Sequence, residues 1–144
     1  MSPRACCAIA TLLLTAASAS SQDYGRRDTD FEIAVSRRTE FPPGYDADLK
    51  STTVYPCTGY DIRAGFSWTR DTLTIDIGGF RRPSPCVALP AAATGSIYLG
   101  DIGQGSYLLR IRYRGEEDIH RMNVADTGIR FKGVRSNFTT VRLK

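Results

Sequence analysis

The sequence predicts an all-β fold, a single antiparallel β-sandwich over residues 31–144, with a small β-barrel as the alternative. Three observations carry this. Apolar and polar residues alternate with a period of two in several short runs. After the N-terminal segment, no window of about eleven residues or more shows helical periodicity. Glycine and aspartate turn residues separate the runs at strand-length intervals.

The N-terminus reads as an address. Residues 1–4 carry one positive charge, and residues 5–19 carry none and include the run Leu12-Leu13-Leu14. Ala17-Ser18-Ala19 fits the small-x-small cleavage pattern. Together they predict a signal peptide over 1–19, too short for a membrane span of about 20 residues. The mature protein is then secreted or periplasmic, with no membrane span of its own. Residues 20–30 are polar and are expected to form a disordered leader.

Strand patterns follow. Phe31, Ile33 and Val35 share one parity, as do Ile62, Ala64, Phe66 and Trp68, and then Leu73, Ile75 and Ile77. Thr69-Arg70-Asp71 turns the second run into the third. Pro42-Pro43-Gly44 and Asp46-Ala47-Asp48 read as a loop. Pro83, Pro85 and Pro90 break up the middle of the chain, and 89–93 could form one helical turn. Tyr107, Leu109, Ile111 and Tyr113 point one way, with Arg110, Arg112 and Arg114 on the other side. Gly115-Glu116 turns the chain into 117–124, where the parity is mixed and a bulge or a sheet edge is expected. Ile129 and Phe131 start another strand, and Val141 and Leu143 end the chain in a short one.

Two cysteines, Cys6 and Cys7, belong to the signal. Cys57 and Cys86 remain as an even pair in an oxidising compartment, which predicts a disulfide.

The stretch Ile97-Tyr98-Leu99-Gly100-Asp101-Ile102-Gly103-Gln104-Gly105-Ser106-Tyr107-Leu108-Leu109 resembles a segment of immunoglobulin-like sandwiches. The resemblance implies that Gly105 opens a strand and that Tyr107 packs at a corner of the sandwich. The chain from Tyr55-Pro56-Cys57 through Cys86-Val87-Ala88-Leu89 to Tyr107 is similar to small secreted bacterial proteins of unknown function. That likeness implies no activity.

Composition excludes several classes. The chain has 144 residues, 24% of them charged, with a net charge of +4. It is too short for a multidomain enzyme and too patterned for a long disordered chain. His120 is the only histidine, and no Gly-x-Ser-x-Gly motif accompanies it, so no nucleophile-base pair is legible. Asp61 and Asp76, on adjacent strands, read as solvated surface acids rather than a glycosidase pair. Asp46 and Asp48 offer too few oxygen ligands for calcium. No cofactor or metal is expected, and the chain is read as not an enzyme.

Two surfaces are left for binding. Phe80, Arg81 and Arg82 lie beyond the Gly78-Gly79 break and inside the disulfide loop. They are expected to form a recognition loop, and replacing Phe80 and Arg81 by alanine should weaken partner capture while leaving the melting temperature nearly unchanged. Arg110, Arg112 and Arg114 are expected to form a basic face. From Arg110 to the C-terminus, nine Lys and Arg stand against four Asp and Glu. Tyr107 and Tyr113 lie on the opposite parity from these arginines, which argues against base stacking and against nucleic acid. The expected partner is an extracellular protein or an acidic polymer. The reading is a secreted, non-catalytic module for binding or structure, of undetermined oligomeric state. A secreted peptidase inhibitor is the alternative. Thr58-Gly59-Tyr60 resembles the threonine-glycine-tyrosine loop of chagasin-like cysteine peptidase inhibitors, although Tyr55-Pro56-Cys57 stands where that family has an Asn-Pro pair. Asn137-Phe138-Thr139 is a glycosylation sequon if the host uses one.

Overall fold

The computed structural model describes residues 28–144. The signal peptide at 1–19 and the leader over 20–27 lie outside the described residues. Asp28, Thr29 and Asp30, assigned above to the leader, are held against the start of the fold. Thr53 N donates to Thr29 Oγ1 at 3.1 Å, and Tyr113 Oη donates to Asp28 Oδ1 at 2.6 Å.

Among the described residues the strands are β1 (Phe31–Arg38), β2 (Gly44–Tyr55), β3 (Asp61–Thr69), β4 (Thr72–Arg81), β5 (Ala91–Gly100), β6 (Gly105–Tyr113), β7 (Glu116–Ala125), β8 (Gly128–Arg135) and β9 (Thr139–Leu143). The all-β expectation holds, with no helix among these residues.

All nine strands form one sheet in the order β8-β7-β6-β4-β3-β5-β2-β1-β9. The two halves of that order, β8 to β3 and β5 to β9, are joined by a single parallel pair, Asp61↔Thr94. Gly95 permits this approach. A Cβ there would lie 2.7 Å from the Ile62 carbonyl oxygen, closer than any side chain tolerates. At the other side β9 returns to β8, and Leu143 Cδ2 comes within 3.8 Å of where a Gly128 Cβ would stand. The sheet is thus nearly closed and barrel-like, rather than two separate sheets stacked as the sandwich expectation required.

The alternating runs bury one parity. Ile33, Leu73, Ile75, Leu109, Ile111 and Met122 are fully buried, and Tyr113 and Phe31 meet edge to face at 4.9 Å between ring centroids. The β6–β7 turn is Arg114-Gly115, one residue earlier than expected. Both have positive φ, 49° and 78°, as a two-residue hairpin loop with right-handed strand twist demands. Neither a bulge nor an edge is found within 117–124: β7 lies between β6 and β8, its residues 118, 120, 122 and 124 all turn inward, and the register shift between Ile119 and His120 leaves the extra residue, Val134, on β8.

Two strands differ from the sequence reading. β2 occupies the segment read as a loop, and β5 begins inside the segment read as a helical turn. Both form because they pair with each other, from Tyr55↔Ala91 to Tyr45↔Gly100, with bulges where the pattern falters. On β2, Tyr45, Ala47 and Leu49 turn inward. Asp46 and Asp48 point outward to Arg38 at 3.8 Å and Lys144 at 3.1 Å. They are ordinary surface ion-pair partners.

Candidate functional site

The outer face of β4, β6, β7 and β8 is built by strand register. One cross-strand row reads Asp76, Arg112, Glu117. The next reads Thr74, Arg110, Ile119, Arg135. A third reads Thr72, Leu108, Arg121, Lys132, and Asn123 with Arg130 follows.

Every arginine in the first two rows has a carboxylate within ion-pair distance. Glu117 lies 3.2 Å from Arg110, 3.5 Å from Arg112 and 2.8 Å from Arg135, and Asp76 lies 3.8 Å from Arg112. These pairs are substantially solvated, so each contributes little to stability. Arg114, at the turn, leaves the face. It pairs with Asp28 at 3.3 Å and lies 5.4 Å over the Tyr113 ring.

The third and fourth rows are not compensated. Arg121 stands directly opposite Lys132, and Arg130 sits one row away, all three exposed. Among the described residues, no carboxylate comes within ion-pair distance of them. Like charges directly opposite each other destabilise a sheet. A shallow depression of about 440 Å³, bordered by Asp71, Ser106, Tyr107, Leu108, Arg121 and Asn123, adjoins the trio at Arg121. The sequence reading placed a basic face on Arg110, Arg112 and Arg114, all three of which pair with carboxylates, and did not single out Arg121, Arg130 and Lys132. The signal for the free charge was the outward parity of Arg121 against Met122 and of Arg130 and Lys132 against Ile129.

The expected recognition loop divides. Phe80 and Arg81 are the last residues of β4, and only Arg82 is in the loop proper. Phe80 turns inward, stacked on Phe31 at 6.1 Å and tilted against Tyr55 at 5.0 Å. Arg81 pairs with Asp61 at 3.0 Å, and Arg82 is exposed. The structure does not bring the three together on one surface. Cys57 and Cys86 form the expected disulfide, Cα–Cα 5.5 Å, with Cys57 buried and Cys86 exposed. It pins the 82–90 segment to the β2–β3 turn. In that turn Tyr60 stacks on Tyr55 at 4.6 Å, which removes its ring from the Thr58-Gly59-Tyr60 loop surface. Tyr107, at the start of β6, donates its hydroxyl to the Gly103 carbonyl at 3.0 Å.

One polar cluster was not foreseen. Asp118 follows Glu116 and Glu117 beside a hairpin turn, the composition of a surface acid cluster, yet it is fully buried. Its Oδ1 accepts from Asn137 N at 2.8 Å. Its Oδ2 accepts from Phe138 N at 2.9 Å, Thr139 N at 2.8 Å and Thr139 Oγ1 at 2.7 Å. Burial pushes this carboxyl up, but the four donors outweigh it and hold it below the usual carboxylate range. His120 Nε2 lies 2.8 Å from Thr139 Oγ1. Thr139 has one hydroxyl proton, and Asp118 takes it, so His120 Nε2 is the donor here. Burial lowers the His120 pKa, and the Asp118 charge opposes that. Histidine, threonine and aspartate therefore meet, but with the hydroxyl proton directed away from the imidazole. That is the reverse of nucleophile activation. The cluster closes the gap between β7 and β9 where the sheet has no ladder.

Among the described residues no group of three or more His, Cys, Asp or Glu is placed to hold a metal ion, and no helix is long and apolar enough to cross a membrane. No family model, no curated protein and no solved structure matches the chain.

Proposed function

We propose that the protein is a secreted, non-catalytic binding module whose β6–β8 outer face takes an acidic extracellular partner. The observation that carries the reading is the Arg121–Lys132 pair with Arg130 beside it. Three cations held together without a carboxylate cost the isolated fold stability, and an incoming polyanion would relieve that cost. The disulfide is consistent with an extracellular or periplasmic setting. The proton arrangement at Thr139 supports a non-catalytic role, since the buried hydroxyl is a donor to Asp118.

The test is binding of an anionic polysaccharide or polyglutamate across a salt series. Affinity should fall steeply as salt rises. The triple variant R121S/R130S/K132S should bind at least about tenfold more weakly, with a shallower salt dependence. Equal binding by the triple variant would defeat the proposal.

A further inference from the structure

Among the described residues, four strand edges have no ladder partner along most of their length: β8 and β9 where the sheet nearly closes, and β3 and β5 beyond the single Asp61↔Thr94 pair. Unpaired edges recruit other strands unless something blunts them. Two of the four are guarded. β8 carries Arg130, Lys132 and Arg135 and a bulge. β9 is five residues long and includes Arg142. β5 has neither charge nor proline, but none of its large apolar side chains is exposed.

β3 is not guarded. From Ala64 to Thr69 it has no charge and no proline, and it runs in unbroken register with β4 from Ala64↔Ile77 to Thr69↔Thr72. Its exposed residues include Phe66 at 40% and Trp68 at 37%, although their β4 partners Ile75 and Leu73 are fully buried.

We infer that β3 is a homodimerisation edge, pairing antiparallel with β3 of a second copy about a twofold axis at Phe66. The sequence of the strand is what selects a second copy. Antiparallel pairing about Phe66 sets Phe66 against Phe66, Ala64 against Trp68 and Gly65 against Ser67. Each bulky ring off the axis meets a small residue, and no like charges face each other between Ala64 and Thr69. Phe66 and Trp68 share one parity, so two copies bring four exposed rings into one cross-strand cluster. The twofold axis runs perpendicular to the sheet. It extends the β8-to-β3 half into a continuous sheet across both copies and leaves both basic outer faces on the same side.

The edge is short, so the association is weak, with a dissociation constant on the order of 10 µM. Sedimentation equilibrium of the disulfide-intact protein tests it up to about 500 µM, a range that spans such a constant. Wild type should move from monomer to dimer. F66K and F66E should each weaken the dimer by at least about tenfold, since they set like charges opposite each other at the axis. An equimolar mixture of the two should recover a heterodimer. Trp68 is the only tryptophan, so its emission in the wild type reports on this edge without any substitution. It should shift to the blue over the same concentration range. A wild type that stays monomeric, an emission maximum that does not move, or a dimer that survives F66K overturns the inference.

Discussion

Replacing Asp118 by asparagine should be among the most damaging single substitutions in the chain, despite its near-identical shape. Two carboxylate oxygens receive four donors from Asn137, Phe138 and Thr139. An amide can present one oxygen. With that oxygen at the Oδ2 position three bonds survive as neutral ones, and the NH2 confronts the Asn137 N–H. A buried donor without an acceptor costs about 1–3 kcal/mol, and a bond to a neutral acceptor is weaker than one to a charged acceptor by up to about 1 kcal/mol. One orphaned donor and three weakened bonds sum to about 1–6 kcal/mol. A domain of about 120 residues unfolds with an entropy of about 0.25 kcal/mol/K near its midpoint, so the melting temperature should fall by about 4–24 °C. Circular-dichroism melts of wild type and D118N measure this directly. Hydrogen exchange localises it, and the amides of residues 137–139 should lose protection first. A D118N melting temperature within about 3 °C of wild type, short of the fall worked out from the unfolding entropy, would refute the reasoning. So would retained protection of those amides.

Acid should destabilise the fold in two stages. His120 has a folded-state pKa below its unfolded value of about 6.5, so its contribution is intact above that pH and is lost as pH falls toward the folded value. Asp118 is likewise depressed, so its contribution is present above about 3.9 and is lost as pH falls through its folded value. H120Q should flatten the first stage and leave the second, as read from melting temperature against pH; an unchanged profile would refute the assignment. Replacing Cys57 and Cys86 together by serine opens a loop of about 30 residues and should cost about 3.5 kcal/mol in a urea titration run against the oxidised wild type. F80A should lower stability by about 2–3 kcal/mol, because the ring packs on Phe31, Tyr55 and Tyr113. That reverses the sequence-based expectation of an unchanged melting temperature, and a thermal melt distinguishes the two.

The strands legible in the sequence were those whose burial alternates cleanly. β6 is the clearest case, with Leu109, Ile111 and Tyr113 inward and Arg110 and Arg112 outward. β2 and β5 were missed for a physical reason. β2 opens next to Pro42-Pro43-Gly44 and carries Asp46 and Asp48, while β5 opens with three alanines. Local preference favours turn or helix in both, and only their pairing with each other makes them strands. Asp118 was not foreseen for a similar reason. A glutamate pair beside it, at a hairpin turn, has the composition of a surface acid cluster, but parity alone decides. Glu117 faces out among three arginines, and Asp118 faces in, toward a turn twenty residues on. The mixed pattern of 117–124 was the visible trace of that choice, because a carboxylate and an imidazole occupy inward positions where apolar residues were sought.

The charge asymmetry along the chain becomes a surface only through topology. Residues 110–144 hold the excess of cations, but Arg114 turns aside to Asp28, and Arg142 and Lys144 travel with β9 to the far half of the sheet. There they join Glu32, Asp48 and Lys50 around a groove of about 510 Å³ in which both signs are mixed. β6, β7 and β8 remain adjacent, so their outward residues accumulate on one face. Glu117 compensates part of it. What is left uncompensated is set by register. Arg121 opposes Lys132, and a shift of one residue on β8 would instead set an inward-facing side chain against it. The bulge at Ile119/His120 lies just beyond this point, where the ladder resumes with Ile119↔Arg135. That offset brings Arg135 to the Glu117 carboxylate, while Arg121, Arg130 and Lys132, before the bulge, stay out of its reach. On β7 and β8 the free cations and the paired Arg135 thus differ by their side of a single bulge, and a partner of opposite charge meets Arg121, Arg130 and Lys132 without displacing Glu117.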